Sequence, residues 1–176
     1  ADGAAMLEAL RQEIAGPDAS PVARSRLQVA DAEILQRRHL AAIAANKQRF
    51  DVADKWFVVA LELTPDDAPN WFNLGFVRER AGRSRDAIAA FAEAVRLQPT
   101  LDRAWYGMGL AHARLGEHAE AAAAIEKSVE LQPMNGEGWY QLGMAYHHAN
   151  QPDQVKRVVK RLVDFEPKRA KKLVQD

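Results

Sequence analysis

A chain of 176 residues, 48% of them hydrophobic, has enough apolar material for an ordinary buried core, which argues against a disordered protein. Its 24 basic and 24 acidic residues cancel, so the chain as a whole lacks the charge signature of a nucleic-acid or membrane-surface binder. With no cysteine there is no disulfide, thiolate zinc site or cysteine nucleophile, and no apolar run approaches the roughly 20 residues that cross a bilayer. The compartment stays open: cytoplasmic or, were a leader removed before Ala1, periplasmic or secreted.

From the N-terminus, Met6, Leu7, Leu10 and Ile14 share one face of a helix predicted from about Ala4 to Ala15. The segment "GPDAS" then turns the chain. Ser20 is a natural cap and Pro21 suits a first helical position, and no glycine follows before Asn46, so one long helix is predicted from Ser20 to Asn46. Its Leu27, Ala30 and Ile34 form a stripe that matches the first helix, which predicts a hairpin extension over residues 1–33 that caps the remainder of the chain. The rival expectation is that the first helix enters the binding groove as an internal ligand.

Internal repetition dominates from residue 34 onward. Trp71, Trp105 and Trp139 stand 34 residues apart, Gly75, Gly109 and Gly143 follow in the same register, and Pro65, Pro99, Pro133 and Pro167 keep the same interval. Four units result, at residues 34–67, 68–101, 102–135 and 136–169, with a short capping helix over 170–176. Each divides into two helices of about a dozen residues, broken at Gly82, Gly116 or Asn150, residues that tolerate the left-handed conformation closing a helix. Gly75, Gly109, Ala87 and Ala121 are small where two helix backbones must approach.

These residues resemble the tetratricopeptide repeat family, whose pattern is an aromatic, then Leu-Gly, an alanine in the second helix, a large apolar residue and a closing proline. "WFNLGFVRERAGRSRDAIAAFAEAVRLQP" matches nearly throughout, and the next unit matches through Trp105, Met108, Gly109, Gly116, Ala121, Ile125 and Pro133. The first unit departs with Arg37 at the aromatic position; the fourth departs with Val155 at the small position and Pro152 opening its second helix, as in a looser terminal unit. The resemblance implies an all-α, right-handed α-solenoid whose concave wall is built by the first helix of each unit.

Carried over residue by residue, the resemblance puts Phe72, Tyr106 and Tyr140, and one turn on Phe76, Leu110 and Met144, on that groove. Asn73, Arg80, Arg103, Arg114, Gln141 and His148 supply polar groups there, with His147 beside them. Apolar anchors with a few orienting hydrogen bonds are expected to hold a peptide or helix of a partner protein. Some family members clamp the C-terminal carboxylate of chaperones; the equivalent places here hold Arg38, Ala42, Asn73, Arg103 and Gly107, and the two that have lost a donor argue against such a clamp.

No catalytic residue is expected. His147 and His148 are adjacent and so point about 100° apart, and His112 and His118 fall on different helices, which gives no chelating pair and no expected metal. No Ser, His and acid grouping, phosphate-cradling loop or paired-acid motif stands in a supporting context, so no cofactor is expected either. Residues 150–176 carry eight basic side chains, Lys156, Arg157, Lys160, Arg161, Lys168, Arg169, Lys171 and Lys172, against Asp153, Asp164, Glu166 and Asp176. Either that end is a solvated face or it meets an acidic partner, with anionic lipid and nucleic acid less favoured. The sequence thus predicts a non-enzymatic adaptor or assembly factor, the alternative being a scaffold that builds homo-oligomers by taking a neighbour's end in its groove.

Overall fold

The computed structural model describes residues 3–16 and 19–175, and among them every regular element is an α-helix. Ala1 and Asp2, Pro17 and Asp18 in the predicted connection, and Asp176 in the tail's charge balance lie outside the described residues. The N-terminal pair is α1 (Gly3–Ala15) and the long α2 (Pro21–Asn46), whose first turn is capped where Ser20 Oγ accepts the Ala23 N–H at 3.0 Å. Helix α1 packs on α2 and α3, the first hairpin, burying Leu7 with Gly3, Leu10 and Ile14 alongside. This row advances by four, three and four residues, one helical face, and Gly3 sits against Leu63 of α3. Met6, expected on that face, is 62% exposed because it lies about 100° round the helix from Leu7.

Four hairpins make up the array: the C-terminal half of α2 with α3 (Phe50–Leu63), α4 (Ala68–Arg80) with α5 (Ser84–Leu97), α6 (Asp102–Arg114) with α7 (His118–Leu131), and α8 (Gly136–His148) with α9 (Pro152–Val163). Helix α10 (Pro167–Gln175) closes it. The turns inside the hairpins pass through positive φ at Gly82, Gly116 and Asn150, as the sequence predicts. In the first hairpin Gln48 takes that conformation with φ 57°, a break that no glycine or asparagine announces.

Each interior hairpin is held by a large side chain seated on a glycine. A methyl group at Gly75 would stand 2.6 Å from Phe91 Cδ1, and one at Gly107 in the next unit would stand 2.7 Å from Phe91 Cζ, so this one ring locks two successive first helices. Ile125 fills the same place on Gly109, with the Ala121 carbonyl close behind. Ala87 and Ala121, fully buried, let the helices come that near. The tryptophans tie each unit to its predecessor: the indole N–H of Trp71, Trp105 and Trp139 donates to the carbonyl of Pro65, Pro99 and Pro133 at 2.8, 2.9 and 2.9 Å. At the equivalent place in the first unit Arg37 pairs instead with Glu33 of its own helix.

The fourth hairpin is different. Val155 replaces the small residue, and its branched side chain keeps α9 from the close approach that alanine allows. Helix α9 turns Val158 and Leu162 inward, while Val155 and Val159, register equivalents of Ala87 and Phe91, stay half-exposed. Leu173 of α10 takes the vacant seat on Gly143, and it stands 34 residues after Trp139, at the tryptophan position of the repeat register. The sequence placed Pro167 at the end of the fourth unit, as its counterparts are; instead it opens α10, since "EPKRA" lacks the turn residues that follow the other three prolines.

This difference sets an expectation. Alanine in place of a helical glycine gains about 1 kcal/mol of helix propensity, whereas overpacking costs about 1 to 3 kcal/mol. Gly109→Ala meets the Ala121 backbone oxygen at 3.0 Å, which cannot yield, so its melting temperature should fall. Gly143→Ala meets only the leucine of a short terminal helix and should be near neutral. Thermal unfolding of the two variants checks the contrast.

Candidate partner-binding groove

The first helices α4, α6 and α8 carry the residues that the sequence assigns to binding. Six of them, Leu110 and Arg114 of α6 with Tyr140, Gln141, Met144 and His148 of α8, line one open depression of about 450 Å³. Ala113, His118, Ile125 and Ala145 complete its lining. Its floor is apolar, its rim consists of Arg114, His118, His148 and the Gln141 amide, and no carboxylate lines it.

The rim arises from the repeat. Arg80, Arg114 and His148 occupy one register position, in the last turn of successive first helices, where the two guanidinium groups complement the exposed carbonyls. Each reaches toward the preceding part of the array. The Arg80 guanidinium lies 5.9 Å from the centre of the Phe50 ring, Arg114 Nε pairs with the buried Glu79 at 2.9 Å, and the His148 ring stacks on His118 with centroids 4.9 Å apart. Arg114 remains 60% exposed, so its charge serves the groove as well as Glu79. His147 meets His148 edge to face at 5.5 Å, so the three rings pack against one another, and among the described residues no group of three or more His, Asp or Glu side chains forms a metal site. Sequence reasoning missed His118: it has Ser84 and Pro152 in its register, so the repeat carries no sign of it.

Of the other predicted residues, Phe72, Asn73, Phe76 and Arg103 lie toward the N-terminal side, whereas Tyr106 packs with the C-terminal core. The Phe72 ring packs 5.9 Å from Phe91, and Arg103 from the next unit covers it at 5.1 Å. Phe76, one turn on, is 46% exposed, while Asn73 is half-buried on the same helix. Tyr106 is half-buried beside Glu137 and Arg169; burial raises its phenol above the ordinary range, Glu137 adds to the rise and Arg169 opposes it. Arg80 stands apart on Phe50.

Tyr140 is buried, because α10 closes over it: Lys172 Nζ lies 4.6 Å from the ring centre. Arg169 pairs with Glu137, whose other oxygen accepts from Gln141 Nε2 at 2.9 Å, and Arg161 lies over Trp139 and Phe165. Much of the basic C-terminal charge therefore serves internal contacts.

Residues 72–135 match the family model described as tetratricopeptide repeat. That segment is of the tetratricopeptide repeat kind. No curated protein matches the chain in sequence. Its repeats superimpose on solved tetratricopeptide repeat structures: a crystal structure of MamA protein at 21% identity and TM-score 0.72, covering 97% of this chain and 95% of that one, and MamA from Desulfovibrio magneticus RS-1 at 18% and 0.71, covering 77% and 76%. The first repeat domain of Spaghetti (RPAP3), bound to the HSP90 peptide SRMEEVD, aligns at 19% and 0.65 over 68% of this chain and 94% of that one. These likenesses establish an all-α helical-repeat solenoid. No helix among the described residues is long and apolar enough to cross a membrane.

The bridge from α10 to the repeat wall can be tested. Arg169 and Glu137 are both partly exposed, so Arg169→Ala should cost less than about 1 kcal/mol of global stability. Hydrogen exchange should nevertheless quicken selectively in α10, whose cover over Tyr140 it fastens.

Proposed function

We propose that this protein is a non-catalytic interaction scaffold that holds a peptide or helix of a partner protein against α4, α6 and α8. The observation that carries this reading is the depression between α6, α7 and α8, where an apolar floor beneath convergent polar groups is the composition expected of a recognition site. The Phe72, Phe76 and Arg103 patch extends the contact along the same first helices. Support also comes from the RPAP3 repeats, which share the fold and are solved with a peptide bound.

The recognition chemistry differs from a five-donor carboxylate clamp. Ala42 and Gly107 offer no side-chain donor, Arg103 lies on Phe72, and Arg38 is paired with Asp67 at 3.2 Å. Affinity therefore rests on apolar anchoring by Leu110 and Met144, with Arg114, Gln141 and His148 setting orientation.

Peptides selected from a displayed library against the immobilised chain supply ligands for the test. Leu110→Glu and Met144→Glu change half-buried side chains at the depression and should leave helical content near wild type. Buried anchors carry about 2 kcal/mol or more each, so each variant should weaken the selected peptides by tenfold or more. Equal affinity for both variants and the wild type would remove this surface as the seat.

A further inference from the structure

The looser fourth hairpin leaves a second surface at the C-terminal end, away from the groove wall. In the interior units the residues equivalent to Val155 and Val159 are buried; here both are half-exposed on α9, one turn apart, and Val174 of α10 beside them is 69% exposed. Together with Leu173 and His147 they line an open trough of about 580 Å³ between the ends of α8, α9 and α10. Its remaining lining is Lys156, Lys160 and Gln175, with no acidic side chain.

The charges around the trough are unequal. On α9, Asp153 holds Lys156 at 3.1 Å in an exposed pair, and Asp164 lies beyond the last turn. Just before α10, Glu166 is taken by Arg169. Lys160, Lys168 and Lys171 add exposed positive charge with no ion pair among the described residues, and Lys172 lies over Tyr140. Valines one turn apart on one helix, facing a valine of a second, make a row of the kind that receives the ridge of a third helix. We infer that this trough docks an acidic amphipathic helix of a partner protein, its apolar row on Val155, Val159 and Val174 and its carboxylates toward Lys156 and Lys160. The positive rim selects the acidic helix and speeds its encounter, while the valines supply the buried contact. It is a second docking site, independent of the groove, so one scaffold joins two partners.

The absence of cysteine gives a clean probe, because Val174→Cys in the full chain takes a polarity-sensitive dye at one place only. The labelled protein is titrated with a synthetic amphipathic helix bearing a leucine row flanked by glutamates, and with the same helix flanked by lysines. The acidic helix should shift the dye emission and the basic one should not. In the Lys156→Glu/Lys160→Glu background the acidic helix should bind about tenfold more weakly and the basic one better. Met144→Glu in the groove should change neither titration. Equal binding of the two helices, or indifference to the lysine reversal, would overturn the proposal. So would a dye shift that appears with protein concentration alone, which would make the occupant a second copy. A shift caused by phosphatidylserine vesicles but not by the acidic helix would also overturn it, by making the occupant a membrane surface.

Discussion

The seat of one large side chain on one helical glycine is the contact on which this molecule depends. Phe91 on Gly75 and Ile125 on Gly109 bring the two helices of a hairpin to a separation at which alanines fill the rest of the interface. Because Phe91 also lies against Gly107, the distance within a unit fixes the distance to the next. The spacing of α4 and α6, and hence the width of the surface offered to a partner there, is set by this one ring, since the equivalents of Gly107 are Asn73 and Gln141. The indole hydrogen bonds to Pro65, Pro99 and Pro133 secure the same joints on the other side.

The first and fourth hairpins depart from the interior pattern in different ways. At the start α1 lays Leu7 on the first hairpin, and Arg37 replaces the indole that would have had no preceding proline to meet. In the fourth hairpin, Val155 holds α9 away and the short helix α10 brings Leu173 onto Gly143. The same helix carries Arg169 to Glu137 and Lys172 to Tyr140, so the end of the array and the floor of the groove share one set of contacts.

Much of this was legible in the sequence because the repeat states it three times. Tryptophan, glycine and proline at constant interval define the helices, their breaks and the residues that touch. What occurs once was not legible. Gln48 in a left-handed turn, the ring of His118 against His148 and the inward turn of Val158 and Leu162 have no second copy to reveal them. The residues expected on the wall do fall on the first helices, but their register says nothing of cover: Lys172 of α10 lies over Tyr140, while Phe76, one turn along the equivalent helix, stays open. Nor does it distinguish Arg114, turned to both Glu79 and the groove, from Arg80 on Phe50.

The central claim is that a partner is held between α6 and α8. Hydrogen exchange of the intact chain, alone and with a bound partner segment, tests it most directly, since an occupied site slows the exchange of backbone amides beneath it. The account requires slowing across Leu110–Arg114 and Tyr140–His148, with α5 and the outer face of α7 unchanged. Slowing confined to α5 and α7, or to α1, would contradict it.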